Sequence, residues 1–168
     1  MNVIGLEVST SAAKGILFSL EEGVIKTVSV QYREGAEALT IDPQEVLTAA
    51  KAVLTRIVES TDRPISAIGL GGAWHSLLLL DEKRLPLGPI YTWADVSASS
   101  TVERLRKDRE FVLGCYQRTG NMVHAMYPAW KYYHLQATAP ETIQRTRFIS
   151  SQLEYVFEHL TGETGVSK

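Results

Sequence analysis

Cysteine is nearly missing from this chain: 168 residues contain one, Cys115, so no internal disulfide can staple the fold. A surplus of basic charge is missing as well. Lys and Arg number 17 against 19 Asp and Glu, a formal charge of −2. A nucleic-acid or anionic-membrane binder needs a basic stripe, and none is present. The longest apolar run, Leu77 to Leu80, is far short of a membrane span. The segment from Met1 to Thr10 lacks the basic start and apolar centre of a signal peptide, so a reducing cytoplasm is the expected compartment. The four histidines have no zinc spacing and no cysteine partners, so no zinc site is expected. No residue near Cys115 in sequence supplies a base, which makes it a buried small hydrophobe rather than a nucleophile.

What is present is the composition of a globular protein, 45% hydrophobic and 21% charged, at a length that suits one domain with one core. Val3 to Val8 reads as a strand, and Gly15 to Leu20 as a second. Val24 to Tyr32 reads as a third, with Val28, Val30 and Tyr32 on one face at period two. Glu21-Glu22-Gly23 is short enough for a hairpin, so these strands are expected to form an antiparallel meander. A polar loop containing Gly35 follows. Asp42 then offers an N-cap, Pro43 a first helical position and Glu45 the closing member of a capping box. Val46, Ala50, Val53, Leu54 and Ile57 share a helical face up to the break at Thr61-Asp62-Arg63-Pro64. Ile65 to Leu70 reads as a buried strand bounded by Pro64 and Gly71-Gly72. A β-β-β-α-β order marks the front half of ribonuclease H-like and actin-like domains, whereas other α/β folds alternate strand and helix from the start.

Beyond it, Leu77 to Leu80 and Ile90 to Trp93 are extended runs flanking a turn-rich connection from Asp81 to Pro89. After Asp95 the pattern is helical: Val102 to Lys107, Phe111 to Tyr116, a helix opened by Pro128, a shorter one opened by Pro140, and Leu153 to Leu160 ending near Gly162.

Several segments can carry chemistry. Glu7, Ser9, Thr10, Ser11 and Lys14 lie on a strand, a turn rich in small hydroxyl residues and a second strand. Such a turn can aim N–H groups and hydroxyls at a phosphate, with the Glu7 carboxylate available to Mg²⁺. An ordinary Ser/Thr-rich hairpin explains the same letters. Gly71-Gly72-Ala73-Trp74-His75 ends a strand, where Trp74 can pack on a sugar ring and His75 can bond a hydroxyl; a satisfied core histidine is the plainer alternative. Trp93 and Asp95 again put an aromatic and a carboxylate at a strand end, or a buried Trp before an N-cap Asp. Asn121 and His124, with Tyr127, can line a polar pocket, or form a turn before an amphipathic helix.

Taken in order, these segments resemble the N-terminal domain of the FGGY family of carbohydrate kinases, gluconate and xylulose kinases in particular. The family's phosphate hairpin D-x-G-T-[ST]-x-x-K aligns with Glu7 through Lys14, and its D-P-x-E helix start with Asp42-Pro43-Gln44-Glu45. Its S-G-Q-M-H-G strand end aligns with Gly71 through Ser76, its L-L-D and P-L-x-P with Leu79-Leu80-Asp81 and Pro86 through Pro89, and its W-N-D with Trp93-Ala94-Asp95. Its T-G-x-x-x-H-P-x-Y-P-x-x-K resembles Thr119 through Lys131, and its L-T-G-E matches Leu160 through Glu163.

The resemblance implies a ribonuclease H-like (actin/hexokinase-like ATPase) α/β fold with a mixed sheet, and a kinase passing the ATP γ-phosphate to a sugar or sugar acid with Mg²⁺. It implies that the hairpin (Glu7, Ser9, Thr10, Ser11, Lys14) meets the phosphates, with Glu7 at the metal. Trp74 and His75 would hold the sugar, with Trp93, Asp95, Asn121 and His124 nearby; a homodimer is among the assemblies it admits. The family's base lies beyond position 168 and its adenine-binding domain further still, so residues 1–168 are expected to be a truncated first domain, inactive alone, with no catalytic residue of its own. Departures from the pattern support an alternative, a noncatalytic sugar-binding or regulatory module. Glu7 replaces Asp, pushing its carboxylate about 1.5 Å further out. Ser9 replaces Gly, and is expected to resist Gly-only backbone angles. Ala73, Trp74 and Ala94 replace Gln, Met and Asn. An interaction domain in which every motif residue is structural is the remaining possibility.

Overall fold

The computed structural model describes residues 1–33 and 39–165. The chain opens with β1 (Asn2–Val8), β2 (Ala12–Ser19) and β3 (Gly23–Gln31), an antiparallel meander whose second turn ends at Gly23 with φ +81°. β2 begins at Ala12 rather than Gly15. The turn after β1 is so tight that Val8 pairs with Ala13, and Lys14 is already an outward position of an alternating strand. The short β4 (Thr40–Ile41) leads into α1 (Pro43–Val58), and β5 (Ile65–Gly72) returns parallel to β1, giving a sheet of order β3-β2-β1-β5.

Asp42 caps α1 as expected, its carboxylate accepting the Gln44 N–H at 2.9 Å. The capping box does not form, because the Glu45 carboxylate turns outward to accept the Arg33 N–H at 2.8 Å. Helix α1 lies across one face of the sheet. Val46, Ala50, Val53 and Ile57 pack on Ile4, Leu6, Leu17 and Val28, and Leu47 and Ala49 join them in the core. Gly15 permits this approach, since a Cβ there would sit 2.5 Å from Val53 Cγ1 and 2.6 Å from Ile57 Cδ1.

The strand read as buried, β5, is mostly exposed, with Ile68 at 51%. It forms one edge of the sheet, and only part of its inner face is covered. The loop containing Gly35 lies outside the described residues.

The second half is assembled from short pieces: β6 (Leu78–Leu80), β7 (Ile90–Tyr91), α2 (Ser99–Leu105), α3 (Arg109–Thr119), α4 (Pro128–Thr138), α5 (Pro140–Arg145), β8 (Phe148–Ser150) and α6 (Gln152–Thr161). β7 pairs with β4, and β6 with β8. Helix α6 carries a full capping box between Ser151 and Glu154, ends at Gly162 with φ +75°, and adds Tyr155 and Val156 to the core. Cys115 is buried in a second cluster with Ala98, Val102, Val123 and Ala125. No helix among the described residues is long and apolar enough to cross a membrane.

Candidate functional site

The β1–β2 turn is built around one side chain. The Ser9 N–H and hydroxyl both donate to the Ala12 carbonyl at 2.9 Å, while Ser9 Oγ accepts the Ala12 N–H at 3.2 Å and the Ser11 N–H at 3.4 Å. Ser9 is not at positive φ, so the expected backbone conflict at this position does not arise. Thr10 stands at the tip, and among the described residues no hydrogen bond engages it. Glu7 and Lys14 are direct cross-strand partners, both exposed on the open face of the sheet.

The end of β5 runs beside this turn. Glu7 pairs with Gly71 and Val8 with Gly72, and the Ala73 N–H donates to the Val8 carbonyl at 2.9 Å. The hairpin and the Trp74-His75 segment are therefore neighbours at the carboxyl ends of two parallel strands, where ligands bind in open α/β sheets. Trp74 is 76% exposed and edge-on to His75. His75 holds φ +61°, uncommon for a residue with a Cβ, and packs edge-on against Tyr127 with ring centroids 4.8 Å apart. Partial burial, with the positive charge of Lys131 nearby, holds the His75 imidazole below its ordinary pKa and neutral at pH 7. A neutral ring offers one donor and one acceptor, the complement of a hydroxyl.

Gln152 ties these parts together and has no sequence signal. It is fully buried at the first position of α6, where its N–H donates to Ser76 Oγ at 2.9 Å. Its Nε2 donates to the Ser9 carbonyl at 2.6 Å and the Val8 carbonyl at 3.3 Å. One side chain thus pins the hairpin to the segment after β5. Its Oε1 and the nearby Tyr32 hydroxyl are buried without a hydrogen-bond partner.

Lys131, one letter of a weak motif in the sequence, is a second such residue. It is 1% exposed and donates from Nζ to the Met126 carbonyl at 2.7 Å, bracing the turn that carries Tyr127. Burial drives its pKa down to about 8, with the Asp95 carboxylate pulling the other way. Asp95 itself is 5% exposed and accepts the Ser97 N–H and hydroxyl at 3.2 and 2.9 Å. It caps the turn from Asp95 to Ser97, whereas α2 starts after Ala98 with no side-chain cap.

His124 belongs to the Tyr127 turn: its Nδ1 accepts the Met126 N–H at 3.2 Å and its carbonyl the Tyr127 N–H at 3.1 Å. Trp93 is half exposed, and Asn121 follows the Gly120 cap of α3. Among the described residues no hydrogen bond or ring contact joins Trp93 or Asn121 to Trp74 or His75. The structure therefore brings together Glu7, Ser9, Thr10, Ser11, Lys14, Trp74 and His75, and reaches His124 through Tyr127.

An anion at the hairpin would find the Thr10 hydroxyl and N–H and the Lys14 ammonium, a donor set that fits a phosphate. The Ser11 and Ala12 N–H groups already point to Ser9 Oγ. Glu7 is a lone carboxylate on the same face, and among the described residues no three His, Cys, Asp or Glu gather into a metal-holding group.

The family profile described as "FGGY family of carbohydrate kinases, N-terminal domain" matches residues 2–167. A Bacillus subtilis protein named gluconokinase is 26% identical over 165 residues, covering 96% of this chain and 32% of that protein. A Lactococcus lactis xylulose kinase is 30% identical over 168 residues, covering 95% of this chain and 33% of its own. The crystal structure of a gluconate kinase from Lactobacillus acidophilus superposes with TM-score 0.89 at 28% identity, over 97% of this chain and 34% of that one. The chain spans about a third of the length of these relatives.

Proposed function

Because the chain belongs to the FGGY family of carbohydrate kinases, as an N-terminal domain, we propose that it forms the sugar-holding and phosphate-facing part of an ATP-dependent sugar or sugar-acid kinase. The observation that carries this reading is the adjacency of the two motifs at one sheet end, locked by the Ala73 N–H to Val8 carbonyl bond at 2.9 Å and by Gln152. When bound, ATP supplies the phosphoryl group. Of the chain's own residues, Thr10 and Lys14 would hold the polyphosphate, Glu7 would offer the one carboxylate on that face to the Mg²⁺ that travels with it, Trp74 would cover an apolar face of the sugar, and neutral His75 would orient a hydroxyl. Lys131 and Tyr127 keep His75 in place. In such transfers catalysis is positioning and charge neutralisation, with a base taking the proton of the attacking hydroxyl. We assign no base within residues 1–168, and the proposal places it, with the adenine contacts, in sequence outside them.

The test is titration of the chain with gluconate and with xylulose, read by fluorescence of Trp74 in a Trp93→Phe/Trp130→Phe background. A saturable response that His75→Gly removes is expected, since glycine accepts φ +61° without strain. No response to either compound would overturn the sugar assignment. A second reading, a sugar-binding module without phosphoryl transfer, is favoured by the self-occupied hairpin amides. It predicts the sugar response with no answering change at Thr10 or Lys14 when ATP is added.

A further inference from the structure

The turn between β1 and β2 carries three successive backbone donors beside the end of β5, and two of them are engaged within the turn. Ser9 Oγ accepts from Ser11 N–H at 3.4 Å and from Ala12 N–H at 3.2 Å, and it discharges its own proton onto the Ala12 carbonyl at 2.9 Å. A hydroxyl oxygen in this position does what an anion's oxygen would do: it collects adjacent N–H groups at the tip of a hairpin. Only Thr10 and Lys14 are left for an incoming ligand.

We propose that Ser9 is a built-in occupant of the phosphate turn, whose hydroxyl holds the Ser11 and Ala12 N–H groups and makes polyphosphate binding conditional on its displacement. This rests on the reading of the hairpin as the phosphate-facing element. The two bonds Ser9 accepts are long for N–H···O contacts, so a rotation about χ1 gives up two weak bonds and the one it donates to the Ala12 carbonyl at 2.9 Å, whose acceptor keeps the Ser9 N–H. A highly charged ligand forms the stronger charge-assisted bonds and displaces the hydroxyl, whereas a weakly charged one does not. Ser9 therefore acts as a threshold. The turn stays satisfied when empty and discriminates by ligand charge.

The consequence is measurable without turnover. Ser9→Ala keeps the Cβ and the backbone restriction but deletes the acceptor; Ser9→Thr keeps the hydroxyl. Two readouts on the chain separate the parts of the argument: amide hydrogen exchange at Ser11 and Ala12 with no ligand, and titration with tripolyphosphate followed by the amide resonances of residues 9–14. Ser9→Ala is expected to speed exchange at both amides and to tighten tripolyphosphate about tenfold, the worth of one to two net hydrogen bonds. Ser9→Thr should behave as the parent. Unchanged exchange in Ser9→Ala would overturn the proposal at its geometry. Hairpin resonances that move with equal affinity in parent and Ser9→Ala would overturn it while leaving the phosphate reading intact. Faster exchange with no tripolyphosphate response in any variant would overturn the phosphate reading itself, and the proposal with it.

Discussion

Lys131→Met is expected to make the protein more stable, although it deletes a well-formed hydrogen bond next to the site. The Lys131 side chain is 1% exposed, and its one hydrogen bond among the described residues is to the Met126 carbonyl at 2.7 Å. The fall of its pKa from 10.5 to about 8 corresponds to about 3 kcal/mol by which burial disfavours the charged form at neutral pH, with the favourable pull of Asp95 already included. Methionine fills a similar volume but leaves the Met126 carbonyl unpaired, which costs about 1–3 kcal/mol. The net gain is about 0–2 kcal/mol at pH 7, or up to about 1 M in the urea midpoint. The pH dependence gives an independent check. Below pH 8 both folded and unfolded states carry the charge and the penalty is complete. Between pH 8 and 10 the unfolded chain keeps a proton that the folded one has released, so parent stability rises with pH. Tyr32, whose pKa burial raises above 10, reverses the trend at higher pH, so the window to read is pH 8 to 9.5. Urea unfolding at pH 7 and pH 9.5 should show the rise in the parent and its absence in Lys131→Met. A variant less stable at pH 7 that keeps the parent's rise would refute the reasoning, because the bond to the Met126 carbonyl would then outweigh the cost of the buried charge.

Gln152→Leu should destabilise by about 1–3 kcal/mol, because the Ser9 carbonyl then loses its partner in a dry environment; thermal unfolding measures it, and hydrogen exchange should quicken in the hairpin before the rest of β1. Gly15→Ala should lose about 1–3 kcal/mol in a urea melt, since its methyl group would press on Val53 Cγ1 at 2.5 Å and force α1 away from β2.

The elements that could be read from sequence were those specified by neighbours along the chain. Asp42 and Pro43 announce α1, Pro128 announces α4, a short apolar run gives β1, and period-two alternation gives β3. The elements that escaped depend on distant partners. Phe148–Ser150 becomes a strand only because Leu78–Leu80 lies beside it, and β4 because Ile90–Tyr91 does. The Glu45 capping box failed for a similar reason: the Arg33 N–H, twelve positions away, competes for the same carboxylate. In the site, Trp74 and His75 were legible from their glycine-rich strand end. Gln152 and Lys131 were not, because a polar letter does not reveal that its side chain is buried, and burial is what gives each of them its role. Ser9 was legible as a departure from a pattern, but its effect was assigned to backbone angle when the structure places it in the hydroxyl.

The exposed edge of β5 has a practical consequence for handling the protein. Among the described residues the outer side of the strand has no pairing neighbour, and it lies next to a groove of about 870 Å³ lined by Ile68, Leu70, Leu153, Phe157 and Leu160. An unpaired edge beside apolar surface is a template for pairing between copies, and a formal charge of −2 provides little repulsion to oppose it. Trp74 lines the same groove. Self-association would therefore quench or shift the fluorophore meant to report sugar, so dilution series must precede any titration.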